Sequence, residues 1–348
     1  MESAWFALIG FMLIVYVILD GFDFGAGIVH LLVAKTERER STILAAIGPF
    51  WDGNEVWLIA AGGVLVFAFP RAYAAAFSGF YLPMMMVLWL LILRGVSIEF
   101  RSHQENPLWR SFWDATFAIS STVIAIVLGA SMGNLVRGVP LDASGYFSAP
   151  LFTDFRPGQR PGALDWYTLA IAALVLLVLA GHGALYLSWK TTGAVQARSE
   201  RLARRVWWWI LPVAAATTIL TALVQPSLFS RLAARPWSWI FVALTIGAAA
   251  SVFASLRQRR QLRAFVSSGA FIAGMLGLTA AEMFPIILPS TIDPAYALTA
   301  FNAASGRKGL LLGLLWWTPA ILLAIAYFVF LFRSFRGKIE APDTDHGY

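Results

Sequence analysis

Residues 5–34 read WFALIGFMLIVYVILDGFDFGAGIVHLLVA, an apolar run interrupted only by Asp20, Asp23 and His30. A helix needs about 20 mostly apolar residues to cross the hydrocarbon core of a bilayer, which is about 30 Å thick. This stretch therefore predicts a transmembrane helix. The preceding Met1-Glu2-Ser3 is acidic, and no small-residue cleavage site follows the run. A cleaved signal peptide is accordingly not predicted.

Apolar runs of similar length recur along the rest of the chain. Of the 348 residues, 59% are hydrophobic and 13% charged, whereas soluble domains carry about 25% charged residues. The sequence thus predicts an all-α integral membrane protein with about nine transmembrane helices. They form one polytopic domain over residues 1–338, followed by a polar tail over 339–348. The eight further spans lie at about 48–70, 73–98, 112–136, 165–189, 207–226, 237–256, 262–288 and 311–332.

The basic residues fall unevenly on the two sides of this topology. One set of loops and span ends holds 18 of the 26 lysines and arginines, and the other set holds eight. The richer side is expected in the cytoplasm, with the N-terminus outside and the C-terminus inside. The net charge of +7 thus reflects topology, and nucleic-acid binding is not expected. The absence of cysteine excludes disulfides, thiolate metal sites and a cysteine nucleophile.

Two pairs of carboxylates lie within or beside the first two spans. Asp20 and Asp23 are three residues apart and share a helix face. Asp52 and Glu55 share a face at the start of the second span, where the helix dipole favours acidic groups. An intramembrane carboxylate costs at least about 2.5 kcal/mol and is a functional candidate by default. The alternatives are that the aspartates of the first span pair structurally with an arginine, and that Asp52 and Glu55 only stabilise a helix start.

The third span ends with Arg94 and Glu99, which are candidate charge partners for these acids. In the predicted topology, all these residues lie in the inner half of the membrane or at its inner surface. Packing of the first three spans would then form one polar cluster open to the cytoplasm. Chains of such groups carry protons in membrane proteins, so the residues predict a cytoplasm-facing proton route.

Two histidines, His30 and His182, lie within predicted spans. No second ligand at a matching depth accompanies either, which favours packing or hydrogen bonding over haem ligation. No metal site is predicted. Glu282 lies near the outer end of the eighth span, and its role is left open along with those of the two histidines.

Several segments resemble subunit II of the cytochrome bd quinol oxidases. The resemblance covers about 25–290, and its first three motifs together are highly specific. At Glu55 the chain departs from the family, whose members can carry an amide there. The matching segments are DGFDFGAG at 20–27, WDGNEVWL at 51–58, AAAFSGFY at 74–81, RGVSIEFR at 94–101, WD at 113–114, GNL at 133–135, GVP at 138–140 and MFP at 283–285.

The resemblance implies a bacterial cytoplasmic-membrane complex that oxidises quinol and reduces oxygen to water. Two b-type haems and haem d would belong to subunit I, the larger partner, and a small single-span accessory subunit and lipid are further partners. The present chain would support haem assembly and line the proton route. By the motif match Asp52 is the first candidate for that route, and Asp20 and Asp23 follow.

The sequence is also compatible with two other classes of protein. A secondary ion- or proton-coupled transporter would also place carboxylates in glycine-rich spans near the midplane. A haem-bearing cytochrome subunit would use His30 and His182 as ligands. A reduced-minus-oxidised spectrum of the chain with and without partners separates the three classes.

Overall fold

A computed structural model describes residues 1–339, so almost all of the predicted tail at 339–348 lies outside the described residues. The fold is mostly helical. The helices are α1 (Glu2–Val33), α2 (Glu37–Ile47), α3 (Trp51–Ala68), α4 (Pro70–Gly79), α5 (Tyr81–Phe100), α6 (Pro107–Arg137), α7 (Trp166–Lys190), α8 (Gly193–Val224), α9 (Pro226–Ala234), α10 (Trp239–Arg257), α11 (Gln261–Met283) and α12 (Arg307–Ser334). The strands are β1 (Ile286–Leu288) and β2 (Leu298–Thr299).

Within residues 1–339, eight helices are long and apolar enough to cross a membrane: α1, α5, α6, α7, α8, α10, α11 and α12. An all-α membrane protein is thereby confirmed. The predicted span at 48–70 corresponds to α3, whose 18 residues would extend about 27 Å. Its first two turns contain Asp52, Asn54 and Glu55, which lower its apolar character. The count of nine spans therefore stays a prediction.

Two predicted span boundaries are wrong. The span at 73–98 is divided between α4 and α5, because Phe80 leaves the α-helical conformation. The span at 262–288 ends as a helix at Met283, since Pro285 lacks the backbone N–H that would continue it. Residues 286–288 instead form β1, which pairs antiparallel with β2.

The centre of the bundle is a close crossing of α1 and α7. A Cβ atom added to Gly25 would collide with the backbone of Leu179 and Gly183, and one added to Gly183 would collide with Gly25. Small residues at such positions let two helix backbones approach closely. The crossing places α1 in the interior, where α3, α6, α7 and α11 surround it.

Loops gather at the two ends of the bundle. The basic end comprises α2 and residues 34–36, 48–50, 101–106, 191–192, 258–260 and 335–339. The opposite end comprises α4, α9, the β1–β2 hairpin and the long connection 138–165. At the opposite end Arg137 forms a buried ion pair with Asp165, and the Asn134 side chain donates to the Ala163 carbonyl at 2.7 Å. These contacts join α6 to the start of α7.

The last helix, α12, is hydrogen-bonded to the bundle at its two ends. At the basic end Lys190 Nζ donates to the Phe335 carbonyl at 2.7 Å, and Ile339 N donates to the Lys190 carbonyl at 2.6 Å. At the opposite end Trp5 Nε1 donates to the Leu310 carbonyl at 3.1 Å. Between these points α12 is mostly exposed. Half-buried side chains along α12 also pack on the core, among them Trp317, Ile321 and Phe328. Hydrogen bonds near its two termini and this packing together attach α12 to the bundle.

Candidate functional site

A buried arginine joins the first three long helices of the bundle. Arg94 of α5 is fully buried. Its Nη1 donates to Asp20 Oδ1 of α1 at 2.6 Å, and its Nη2 donates to Glu55 of α3. Its guanidinium also lies 4.4 Å from the centre of the Phe24 ring. One cation thus holds carboxylates from two other helices.

The second aspartate of α1 has a different partner. Asp23 Oδ2 accepts a 2.7 Å hydrogen bond from Asn54 Nδ2, and the same amide lies 3.3 Å from the Leu19 carbonyl. Asp23 and Asn54 are both fully buried. We call Asp20, Asp23, Asn54, Glu55 and Arg94 the polar cluster. It brings together four of the six residues selected from the sequence and adds the amide of Asn54.

The structure leaves Asp52 and Glu99 outside the polar cluster. Both side chains are exposed, and neither makes a hydrogen bond or ion pair within residues 1–339. Successive helix residues turn by about 100°. Asp52 therefore lies about 160° from Asn54 around α3, and Glu99 about 140° from Arg94 around α5. Glu99 is not the charge partner of Arg94; only its backbone carbonyl is used, by Ser102 and His103.

A second ionic network lies at the basic end and was not selected from the sequence. Asp114 of α6 accepts from His30 Nε2 at 2.7 Å, from Arg101 Nε at 2.7 Å and from Arg40 Nη1 at 3.3 Å. Arg101 also donates to Glu37 at 2.6 Å. We call these five residues the Asp114 network. The sequence signal that could have predicted this network is the Trp113-Asp114 motif, because a carboxylate within a predicted span needs a charged or hydrogen-bonding partner.

The histidines within residues 1–339 are engaged in protein contacts. His182 is fully buried, with Nδ1 2.6 Å from Ser268 Oγ and Nε2 3.0 Å from the Ile18 carbonyl. His30 uses Nε2 on Asp114, and His103 Nδ1 lies 2.9 Å from the Glu99 carbonyl. A haem iron at His182 would have to displace one of its two bonds, whereas His30 Nδ1 has no hydrogen-bond partner in the described chain.

Comparison with known proteins identifies the family to which this chain belongs. A family model described as cytochrome bd terminal oxidase subunit II matches residues 1–335. The chain belongs to this family. Subunit II is part of a terminal oxidase, which is an oxidoreductase complex, and the resemblance stated from the sequence is confirmed. The near-complete match leaves no observation in favour of the transporter alternative.

Curated relatives of similar length support the assignment. The chain is 30% identical to a probable cytochrome oxidase subunit 2 of Haemophilus influenzae, with 98% of this chain and 96% of the relative covered. It is 31% identical to the cytochrome bd ubiquinol oxidase subunit 2 of Bacillus subtilis, with 89% and 88% covered. The cytochrome bd-I ubiquinol oxidase subunit 2 of Escherichia coli K12 is 29% identical, with 98% and 96% covered.

A solved structure shares the fold of this family member. The chain superposes on one from the bd oxidase of Geobacillus thermodenitrificans with a TM-score of 0.73 at 18% identity. The match covers 96% of this chain and 98% of the other. At this identity the likeness supports the helical arrangement alone.

Within residues 1–339 no group of three or more histidine, aspartate or glutamate side chains is arranged to hold a metal ion.

Glu282 is buried near the end of α11, and neither carboxylate oxygen has a hydrogen-bond partner in the described chain. Its position at the opposite end separates it from the polar cluster and from the Asp114 network.

Proposed function

We propose that this chain is the subunit II of a bacterial quinol:oxygen oxidoreductase and provides part of its proton route from the cytoplasm. Its partner is the haem-bearing subunit I, in which two b-type haems and haem d are expected. In this proposal the present chain carries no haem, supports haem assembly in subunit I and lies in the bacterial cytoplasmic membrane. A small accessory subunit and membrane lipid complete the expected set of partners.

The observation that carries the proton route is the composition of the polar cluster. It sets one guanidinium against the three carboxyl groups of Asp20, Asp23 and Glu55, in a site where Asp20 and Asp23 are fully buried. Like charges that share a desolvated site disfavour full ionisation, and an opposite charge favours it. A cluster with more carboxyl groups than cations can therefore exchange a proton without losing Arg94 as its fixed charge.

Asp52 supports a second part of the proposal, the position of the partner. Its exposed side chain on α3 is followed one turn later by Val56 and two turns later by Ile59, which are 55% and 72% exposed. Asp52 lies in the first turn of α3, near the membrane surface, where a carboxylate can be hydrated or can pair with a group across a subunit interface. We therefore assign this face of α3 to subunit I, where Asp52 would receive or deliver protons across the interface.

The direction of the route rests on topology. Nine spans, counting α3, place the basic end at the cytoplasmic surface under the positive-inside rule. The N-terminus is then outside and the C-terminus inside. Asp52 and the Asp114 network lie towards the cytoplasmic surface, and the polar cluster lies deeper along α1.

The test uses Asp20→Asn and Asp23→Asn in the assembled two-subunit oxidase. Asparagine keeps the shape and accepts a hydrogen bond, but it cannot carry the proton. Quinol-driven oxygen uptake should fall by about 10²-fold, the lower range for a positioned proton-transfer group, while haem spectra remain unchanged. Glu99→Gln, an exposed acid near the same end, is the matched control. Wild-type turnover by both haem-loaded aspartate variants would refute the proton route.

A further inference from the structure

A stripe of buried polar residues runs along one side of α1. Tyr16, Asp20, Asp23 and His30 are spaced by four, three and seven residues, which places them within about 80° of one another around the helix. Each is at most 2% exposed. Over these residues the helix rises about 21 Å. The stripe therefore extends from the middle of the chain's interior to the basic end.

The largest gap in the stripe is bridged by a residue of α6. Asp23 and His30 are about 10.5 Å apart along the helix axis, and Gly27 lies between them on the same side. Because Gly27 has no side chain, Ser121 Oγ occupies the place of its Cβ. Ser121 is fully buried. A hydroxyl group thus stands between the carboxyl of Asp23 and the ring of His30.

Every member of this series has a polar atom without a hydrogen-bond partner in the described chain. These buried atoms are Tyr16 Oη, Asp20 Oδ2, Asp23 Oδ1, Ser121 Oγ and His30 Nδ1. Buried polar groups almost always have a partner, either protein or ordered water. On α1 the Cβ atoms of Asp20 and Asp23 are about 5–6 Å apart, and the Tyr16 and Asp20 side chains are close enough to interact directly. Ser121 divides the rise of about 10.5 Å between Asp23 and His30 into two steps, each short enough for one bridging water molecule with a hydrogen bond of about 2.8 Å on either side.

The basic end of this series is connected to the surface by charged residues. His30 Nε2 contacts Asp114, which is 1% exposed. Asp114 in turn contacts Arg40, whose side chain is 25% exposed. Arg101 joins Asp114 to Glu37, whose side chain is 40% exposed. A continuous set of charged groups therefore leads from solvent to His30. In this set the arginines stay charged and hold the carboxylates in place, while Glu37, Asp114 and His30 are the groups that can carry a proton.

We propose that this stripe holds a file of water molecules that conducts protons from the basic end to Asp23 and Asp20, with the His30–Asp114 pair at its entrance. A proton that arrives by way of Asp114 binds His30 at Nε2, and the ring releases the proton on Nδ1 into the water beside Ser121, from which a proton passes to Asp23. An equivalent proton leaves the other end of the file, and the ring regains its proton on Nδ1 before the next transfer. This inference names an interior entrance for the proposed proton route, and it rests on that function for the direction of transfer. It differs from entry through exposed Asp52.

The presence of water can be tested independently of turnover by radiolytic hydroxyl labelling of the purified oxidase, read by mass spectrometry. Tyr16 and His30 should label several times faster than the matched controls Tyr186 and His182. These controls are equally buried, and Tyr186 Oη and both ring nitrogens of His182 contact protein atoms. Equally slow labelling of all four residues would overturn the water file.

The conduction step is tested by Ser121→Ala in the same complex. Removal of one hydrogen-bonding group from the file should slow oxygen uptake about fivefold. Ser120→Ala is the control, because that hydroxyl bonds to the Thr116 carbonyl of its own helix at 2.7 Å. His30→Gln keeps a donor for Asp114 but cannot relay a proton, and it should slow uptake by about tenfold or more.

The outcomes separate this inference from the proposed function. Normal turnover of Ser121→Ala and His30→Gln beside a slow Asp20→Asn variant would refute the interior entrance and leave the proton route in place. Normal turnover of the Asp20 and Asp23 variants would refute the route itself, and proton conduction by the file with it. Slow turnover of His30→Gln and Ser121→Ala, with fast labelling of Tyr16, supports the full proposal.

Discussion

Replacement of Arg94 by glutamine tests the electrostatics of the polar cluster directly. Breaking a buried ion pair by removing one partner costs about 3–5 kcal/mol, because the remaining charge stays desolvated. Asp20 is fully buried, whereas the Glu55 side chain is 21% exposed and can be hydrated. Only the charge of Asp20 is therefore left unpaired in the interior. The expected loss in the free energy of unfolding is about 3–5 kcal/mol, the value for one broken buried ion pair and not the sum for two.

The assay is denaturant titration of the purified complex in mixed micelles, with Arg263→Gln as a control because Arg263 is exposed at the basic end. In the double variant Arg94→Gln/Asp20→Asn no unpaired charge remains at Asp20. Contacting residues usually couple by about 0.5–3 kcal/mol, and we expect recovery in the upper half of that range. Additive losses, or a loss below about 1 kcal/mol for Arg94→Gln alone, would refute this account of the cluster.

Asp52→Asn should lower oxygen uptake by about 10²-fold, with haem spectra intact. Because asparagine caps helices nearly as well as aspartate, a purely structural Asp52 would tolerate this change. Wild-type turnover of the variant would therefore identify Asp52 as a structural residue. Gly183→Val should destabilise the chain by about 3 kcal/mol or more, because the new side chain collides with Gly25. The unfolding midpoint is compared with that of Gly62→Val, where an added Cβ meets no atom within 4 Å. Equal midpoints would contradict the close crossing. His182→Ala should leave the haem content of the complex near normal, and loss of a haem absorption band at equal subunit amounts would identify a ligand. A reporter active only in the cytoplasm should be active at the C-terminus, and an inactive but stable fusion would reverse the topology.

Much of the polar cluster was predictable because helix periodicity acts over a few residues. The spacing of Asp20 and Asp23 places both on one face of α1, and apolarity alone identifies the long helices. The same periodicity does not say which face of α3 points inward. Asn54 enters the core while Asp52 faces outward. This rotation of α3 about its axis is set by its contacts with α1 and Arg94, which are distant in sequence.

The Asp114 network shows the complementary limit of sequence reasoning. His30 and Asp114 are 84 residues apart, and their contact depends on how α6 packs against α1. That packing is set by side-chain shape, such as the place that Gly27 leaves for Ser121. Hydropathy records apolarity and not shape, so it identifies both helices without pairing their residues.

The attachment of α12 has a consequence for the order in which the chain is built. Its first turn binds near Trp5, and the segment after its last turn binds near Lys190, so both attachment points belong to helices synthesised earlier. Of residues 307–334, all described, only Leu310 and Leu331 are buried. The preceding helices can therefore associate during translation before α12 has left the ribosome. Docking of α12 is then a late step of biogenesis that requires both ends of the bundle to be in place.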